Sequence, residues 1–296
     1  MLKTFKQFLK VKTAKVPIAD YYPSHGDHSQ EKKKVPVADY TPSHGKHSVQ
    51  EAIKLPQTMT HSEFTAHNPN SKIHPSVSGV HDHLQPSEEK WEKALKPHER
   101  EAVKDYTGSS VSSNRELIDT AHGRPSNFEH KPEHDGTWEK NWRDSNRERH
   151  TKLINGLDSV LNRSKVPRNL TVYHGINAPS SEKFNPGEVA SQHPDRHVRM
   201  PAYLSTTVDP HVASSFARPE RWEGDEKKPT TTHMLRIHLK RGQKGFRYVG
   251  NHSSIAGERE GILKRDSVLK IAEHPTVVHH TETGGKIHVW DAHVVD

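Results

Sequence analysis

An α+β fold is predicted for this chain, with helices packed ahead of a mixed or antiparallel sheet, and three observations predict it. Helical periodicity comes first along the chain: Leu153, Ile154, Leu157, Val160 and Leu161 recur at the spacing of one helix face. From residue 170 the apolar pattern shortens to period two, or to short runs bounded by Gly and Pro. Few helical stretches separate these runs, whereas a doubly wound parallel sheet interleaves a helix between successive strands.

The chain has 296 residues, 30% hydrophobic and 27% charged, with a mean hydropathy of −0.97. That is too polar for a packed core throughout, so a globular domain is expected beside sequence that stays disordered. Residues 1–15 place Leu2, Phe5, Phe8 and Leu9 at helical spacing among lysines, which predicts a basic amphipathic leader. Residues 16–86 read as a disordered arm. Within it, residues 16–29 recur almost intact as 35–48, and two copies are too few for a solenoid, which needs about three. The folded domain is expected at 87–296. Ser87 is the expected cap of its first helix, with Glu88 and Glu89 in the favoured first turn. Pro97 ends that helix, 98–106 and 114–120 form two more, and 122–137 is a polar insertion. Expected strands are 170–174, 202–206, 232–239, 245–248, 261–264, 267–273 and 286–295.

A formal net charge of +7 favours anionic partners, such as nucleic acid, anionic lipid or a phosphorylated cofactor, without choosing among them. The absence of cysteine excludes disulfides, a thiolate nucleophile and cysteine-based zinc sites. No apolar run approaches the roughly 20 residues of a membrane span. There are 26 histidines, densest at His81-Asp82-His83 and His279-His280. Neither cluster has a second pair at a usual structural-site spacing, so no metal is expected.

Candidate chemistry lies where polar residues end or interrupt apolar strands. The first such segment runs from Leu170 through Tyr173 and His174 to Gly175, and the second from Ala202 through Ser205, Thr206 and Thr207. A helix-like stretch containing Phe216 follows the second. The third is Gly257-Glu258-Arg259-Glu260-Gly261. In an extended segment residues two apart share a face, so Glu258 and Glu260 are expected to project together with Arg259 turned away. Paired carboxylates suit acid/base work, and one of them suits stabilisation of a developing cation.

In this order and combination the segments resemble the mono-ADP-ribosyltransferases of the Arg-Ser-Glu class, which include exoenzyme toxins and the Alt/Mod-type enzymes of T-even-like phages. The family pattern is Tyr-Arg-Gly at a strand end, then Phe-x-Ser-Thr-Ser, then Glu-x-Glu before a Leu-rich strand. The counterparts are Tyr173-His174-Gly175, Tyr203 to Thr207, and Glu258-Arg259-Glu260. The helical opening around Ala102 to Ser110 and Asn114 to Leu117 is also similar. The resemblance covers residues 87–296 and implies N-terminal helices packed on two mixed or antiparallel sheets around an NAD-binding cleft. It further implies that NAD is the substrate and that ADP-ribose passes to a protein acceptor with release of nicotinamide. Glu260 would stabilise the oxocarbenium-like ribose, Ser205 would position Glu260, and Glu258 would activate the acceptor, with arginine the implied acceptor side chain. Tyr173, His174, Gly175, Thr206, Thr207 and Phe216 would bind the cofactor.

His174 departs from the family pattern, because arginine braces the cofactor phosphates there with a bidentate fork. The diphtheria-toxin-like branch does use histidine at this strand. Arg196, Arg199 and Arg218 are alternative sources of positive charge. Residues 1–9 resemble leader segments of T-even-like phage virion proteins. That implies a virion-associated enzyme delivered to the host cytoplasm. A monomer is expected, with a host protein such as RNA polymerase or the translation machinery as acceptor. A secreted toxin is the alternative in localisation. A catalytically weak virion-associated or nucleic-acid-binding module is the alternative in function.

Overall fold

The computed structural model describes residues 55–108, 110–123, 137–223 and 225–295. The leader, the tandem repeat and most of the polar insertion lie outside these residues. The described chain opens with a short strand β1 (Thr58–Thr60) and helices α1 (His61–Ala66), α2 (Val77–Lys93), α3 (Pro97–Gly108), α4 (Val111–Ala121) and α5 (Thr137–Arg163). Then follow β2 (Leu170–Ile176), α6 (Ala178–Ser181), α7 (Pro186–Ser191), β3 (His197–Met200), β4 (Leu204–Thr207) and α8 (Pro210–Phe216). The chain closes with β5 (Glu220–Glu223), β6 (Glu226–Pro229), β7 (Thr231–Leu239), β8 (Phe246–Tyr248), β9 (Glu260–Leu263), β10 (Ser267–Ile271), β11 (Thr276–His279) and β12 (Lys286–Val295).

The α+β class is borne out. β5 and β6 form a separate hairpin. The other strands make one mixed sheet in the order β1-β11-β12-β7-β2-β4-β9-β8, with β10 joining β12 to β3. β12 runs parallel to β7 and β1 parallel to β11; the remaining pairs are antiparallel. The expected pair of sheets is realised as two halves that meet between β2 and β4, where Tyr173 and Thr207 are the one registered pair. By contrast β2 pairs with β7 along its whole length, Leu170 to Ile176. One apolar cluster fills the sheet around Val172, Leu235, Ile237, Leu204 and Leu263. A second lies between α3, α5 and the β8–β9 edge, around Val103, Leu157, Leu161, Tyr203 and Ile262.

Ordered elements occupy residues 58–86, inside the segment whose composition suggests an arm. Phe64, Val77, Val80 and Leu84 are buried, and α1 opens with a capping box in which Thr60 and Glu63 bond reciprocally. The first long helix is capped by Ser76, whose Oγ accepts from Gly79 N, and Ser87 lies inside it. Pro86 inside α2 forfeits one helical hydrogen bond. The buried positions Val77, Val80, Leu84 and Glu88 nevertheless keep one helical face continuous across it.

Several histidines are buried in this architecture. Burial holds His174 and His233 near a pKa of about 4. His61 and His293 are depressed to the same level, chiefly by burial, with neighbouring imidazoles adding to it. These groups are neutral when folded and titrate normally when unfolded. Between about pH 6.5 and 4 the unfolded chain therefore takes up protons that the native state excludes. Stability should fall as pH drops through that window, by about 1.4 kcal/mol per pH unit for each of His174 and His233. Glu88 and Glu260, raised by burial, titrate in the opposite sense. Urea unfolding at pH 7.5 and 5.0 tests the balance, and an equal or higher midpoint at pH 5.0 would refute it.

Candidate active site

Where β2 and β4 part, a cleft opens between the sheet halves. Tyr173, His174 and Gly175 approach it from β2, Ser205, Thr206 and Thr207 from β4, Phe216 from α8, and Glu258 and Glu260 from the segment entering β9. All nine residues singled out in the sequence thus line one cavity. Tyr106, Thr107 and Ser110 from the α3–α4 corner and Val212 and Ala213 from α8 complete the wall.

Each strand end is fixed by a different device. His174 Nδ1 lies 2.7 Å from Ser205 O, and a carbonyl only accepts, so this nitrogen carries the proton. The imidazole is 5% exposed and kept neutral by burial, which leaves Nε2 as its unprotonated nitrogen. Gly175 lies directly beneath α8: a Cβ there would stand 2.3 Å from Ala213 O and 2.9 Å from Ala217 N. No side chain fits without moving the helix. Thr206 and Thr207 spend their hydroxyls internally, donating to Gly261 O at 2.8 Å and Glu258 O at 2.6 Å. Tyr173 is 1% exposed and packs edge-on against Phe64, forming the floor.

Glu258 and Glu260 do not share one extended segment as expected. Glu258 ends a 3-10 turn, and Arg259 adopts a left-handed conformation (φ 51°, ψ 49°) before β9 begins at Glu260. Both carboxylates still reach the cleft, by a corner rather than by strand periodicity. Arg259 turns to Asp209, with Nη1 donating to Oδ2 at 2.7 Å. Asp209 is the cap of α8, so this pair ties one wall of the cleft to the other.

Glu260 is 3% exposed. Ser205 Oγ donates to its Oε1 at 2.8 Å and Ser253 Oγ to its Oε2 at 2.9 Å. Burial raises its pKa to about 7, against the lowering effect of these two hydroxyls. Behind Ser205, the Tyr106 hydroxyl stands 3.3 Å away and donates to Tyr203 O. Asn114 Nδ2 donates to both that hydroxyl and that carbonyl at 3.1 Å. Ser253, Tyr106 and Asn114 are absent from the site residues that the sequence motifs select, and Arg259 enters there only as the residue turned away. The helical opening that contains Tyr106 and Asn114 does carry a signal, whereas Ser253 carries none.

The cationic alternatives to His174 lie elsewhere. Arg196 donates to Ile271 O and Ala272 O, Arg199 pairs with Asp266, and Arg218 pairs with Glu220. No arginine or lysine is among the described residues lining the cleft.

Residues 85–294 match the model of the ADP-ribosyltransferase exoenzyme family. A curated relative, the NAD(+)–arginine ADP-ribosyltransferase EFV of Enterococcus faecalis, is 22% identical over 183 residues, covering 62% of this chain and 30% of the relative. The chain thus spans under a third of that relative's length. Among solved structures, the ADP-ribosyltransferase toxin Plx2a from Paenibacillus larvae superposes with a TM-score of 0.50 at 20% identity. The match covers 74% of this chain and 96% of the toxin. The ADP-ribosylating toxin BECa of a binary enterotoxin of C. perfringens, solved with NADH, gives 0.52 at 20% identity, covering 74% and 48%. At that identity these two likenesses show the fold.

Two substitutions test how the site is held. Gly175→Ala should displace α8 and lower the melting temperature by several degrees, since overpacking costs about 1–3 kcal/mol. Ser253→Ala should raise the Glu260 pKa by removing a donor to its charged form, observable by carboxyl-specific infrared titration or NMR. A wild-type melting temperature, or an unmoved titration, would show that these contacts do not hold the site.

Proposed function

Because the chain belongs to the ADP-ribosyltransferase exoenzyme family, we propose that it transfers ADP-ribose from NAD to an arginine of a host protein. The observation that supports this most directly is the buried Glu260, held by one hydroxyl on each carboxylate oxygen and facing a cleft between the sheet halves. In the proposed reaction the bond from ribose C1′ to the nicotinamide nitrogen breaks, and its electron pair leaves with nicotinamide, discharging the pyridinium. The ribose is left cation-like, and the Glu260 carboxylate stabilises that charge and binds the ribose 2′-hydroxyl. A guanidinium nitrogen then bonds to C1′ and gives up a proton, for which Glu258 on the corner is the proposed base.

The hydroxyls of Ser205 and Ser253 fix which way the Glu260 carboxylate faces, so that it is preorganised before charge develops. His174 acts in this reading as a positioning residue. Its Nδ1–H holds the Ser205 backbone, and a neutral imidazole supplies no charge to the cofactor phosphates. An arginine acceptor is supported by the carboxylate at position 258 and by the name of the Enterococcus relative.

For delivery, the resemblance of residues 1–9 to phage virion leaders supports a virion-associated enzyme injected into a bacterial host. The toxin relatives support the secreted alternative. Proteomics of purified virions against culture supernatant distinguishes the two routes.

Purified protein incubated with labelled NAD and host lysate is expected to label protein. Glu260→Gln should reduce both nicotinamide release and labelling by about 10²–10³-fold. Glu258→Gln should lose labelling while keeping nicotinamide release into water. Because the Glu260 pKa is about 7, activity should rise with pH through that region as the carboxylate forms. Equal labelling by wild type and Glu260→Gln would sink the assignment.

A further inference from the structure

Away from the cleft, the turn between α7 and β3 gathers three metal-ligating side chains that the sequence clusters did not suggest. Ligand atoms of His193, Asp195 and His197 all lie within 4.8 Å of one another, the one such trio among the described residues. The two imidazoles stack with centroids 5.6 Å apart and 16° between their planes. Asp195 is exposed, His197 half-buried and His193 buried.

The turn that presents them is firmly held. Arg196 N–H donates to His193 O at 2.9 Å. Arg196 itself sits at φ 57°, a region disfavoured for any residue with a Cβ. Its side chain offsets that by donating to Ile271 O at 3.0 Å and Ala272 O at 2.8 Å. Its own carbonyl accepts from Ile271 N at 3.0 Å. With Arg196 drawn onto the end of β10, the residues at 193, 195 and 197 converge beside it. His197 opens β3, where it is registered with Lys270.

We propose that His193, Asp195 and His197 bind one divalent transition-metal ion of the zinc class. Two imidazole nitrogens and one carboxylate oxygen are a borderline donor set. It suits zinc and its neighbours, and not calcium or magnesium, which take oxygen ligands. Three protein ligands leave a fourth position for water. The competing use of His193 is within the turn: Asp195 N–H donates to its Nδ1 at 3.3 Å, a long bond that a metal would displace at small cost. None of the three residues lines the cleft. The bound ion would therefore stabilise the fold by fastening the α7–β3 turn, since ligands so arranged exist only in the folded state.

The other histidines of the chain make stoichiometry the deciding readout. Full-length protein stripped with EDTA is titrated with zinc chloride by calorimetry, beside His193→Gln/His197→Gln and Asp195→Asn. Wild type is expected to bind one equivalent with a Kd on the order of 1 µM or tighter, above any weaker background. Its melting temperature should rise by about 5 °C at a hundredfold excess over Kd. The double variant should lose that equivalent while keeping the background, with a far-UV spectrum and EDTA melting temperature like wild type. Should the double variant misfold, Asp195→Asn, altered at an exposed side chain, is expected to bind at least tenfold more weakly. The proposal is overturned if wild type lacks the tight equivalent, if the folded double variant retains it, or if Asp195→Asn binds zinc as wild type does.

Discussion

A sheet that must open to admit a ligand has to separate neighbouring strands without stranding their backbone groups, and the joint between β2 and β4 meets that constraint. One registered pair, Tyr173 and Thr207, joins the halves. Beside it the main-chain ladder is replaced by a side chain, with His174 Nδ1 donating to Ser205 O. Ser205 in turn fixes one oxygen of Glu260, and β4 carries β9 in register from Leu204↔Leu263 to Thr207↔Glu260. The carboxylate is thus placed by strand pairing and by the imidazole together. α8, seated on Gly175 with no room for a Cβ, closes the same joint from above.

The electrostatics follow from that burial. An imidazole in this position is neutral, and the carboxylate opposite is raised toward neutrality. Among the described residues the cleft wall carries no arginine or lysine. The ion pairs stand around its rim, as in Arg259 with Asp209, where they brace the walls. Burial in a low-dielectric pocket strengthens the interaction of Glu260 with a charge appearing next to it. It offers much less to charges already present on the ligand.

Legibility in the sequence followed physical cause. Tyr173, His174, Ser205 and Glu260 stood out because polar groups interrupt strands that otherwise bury apolar side chains, and such interruptions need a reason. The corner at Arg259 was hidden, since a left-handed arginine has no compositional mark and alternation is the default expectation for a short strand approach. Ser253 was hidden because it reaches Glu260 from a 3-10 turn in a polar loop. β3, β11 and the β5–β6 hairpin are too short to show a period. Pro86 masked α2, although Val77, Val80 and Leu84 keep helical spacing up to it. The histidine-rich, polar texture of residues 55–86 outweighed a handful of apolar anchors.

Those anchors place the N-terminal flank within the architecture of the site. Glu88, fully buried, accepts from His252 N in the turn that carries Ser253, and Ser78 bonds Arg259 at the corner between the two carboxylates. α2 therefore touches the loop before β9 near both its ends, as a splint lies along a finger. A chain begun at residue 87, where composition draws the boundary, would keep every residue lining the cleft and lose half of what holds their loop still. The folded unit is consequently larger than its set of motifs, and among the described residues it reaches back to β1.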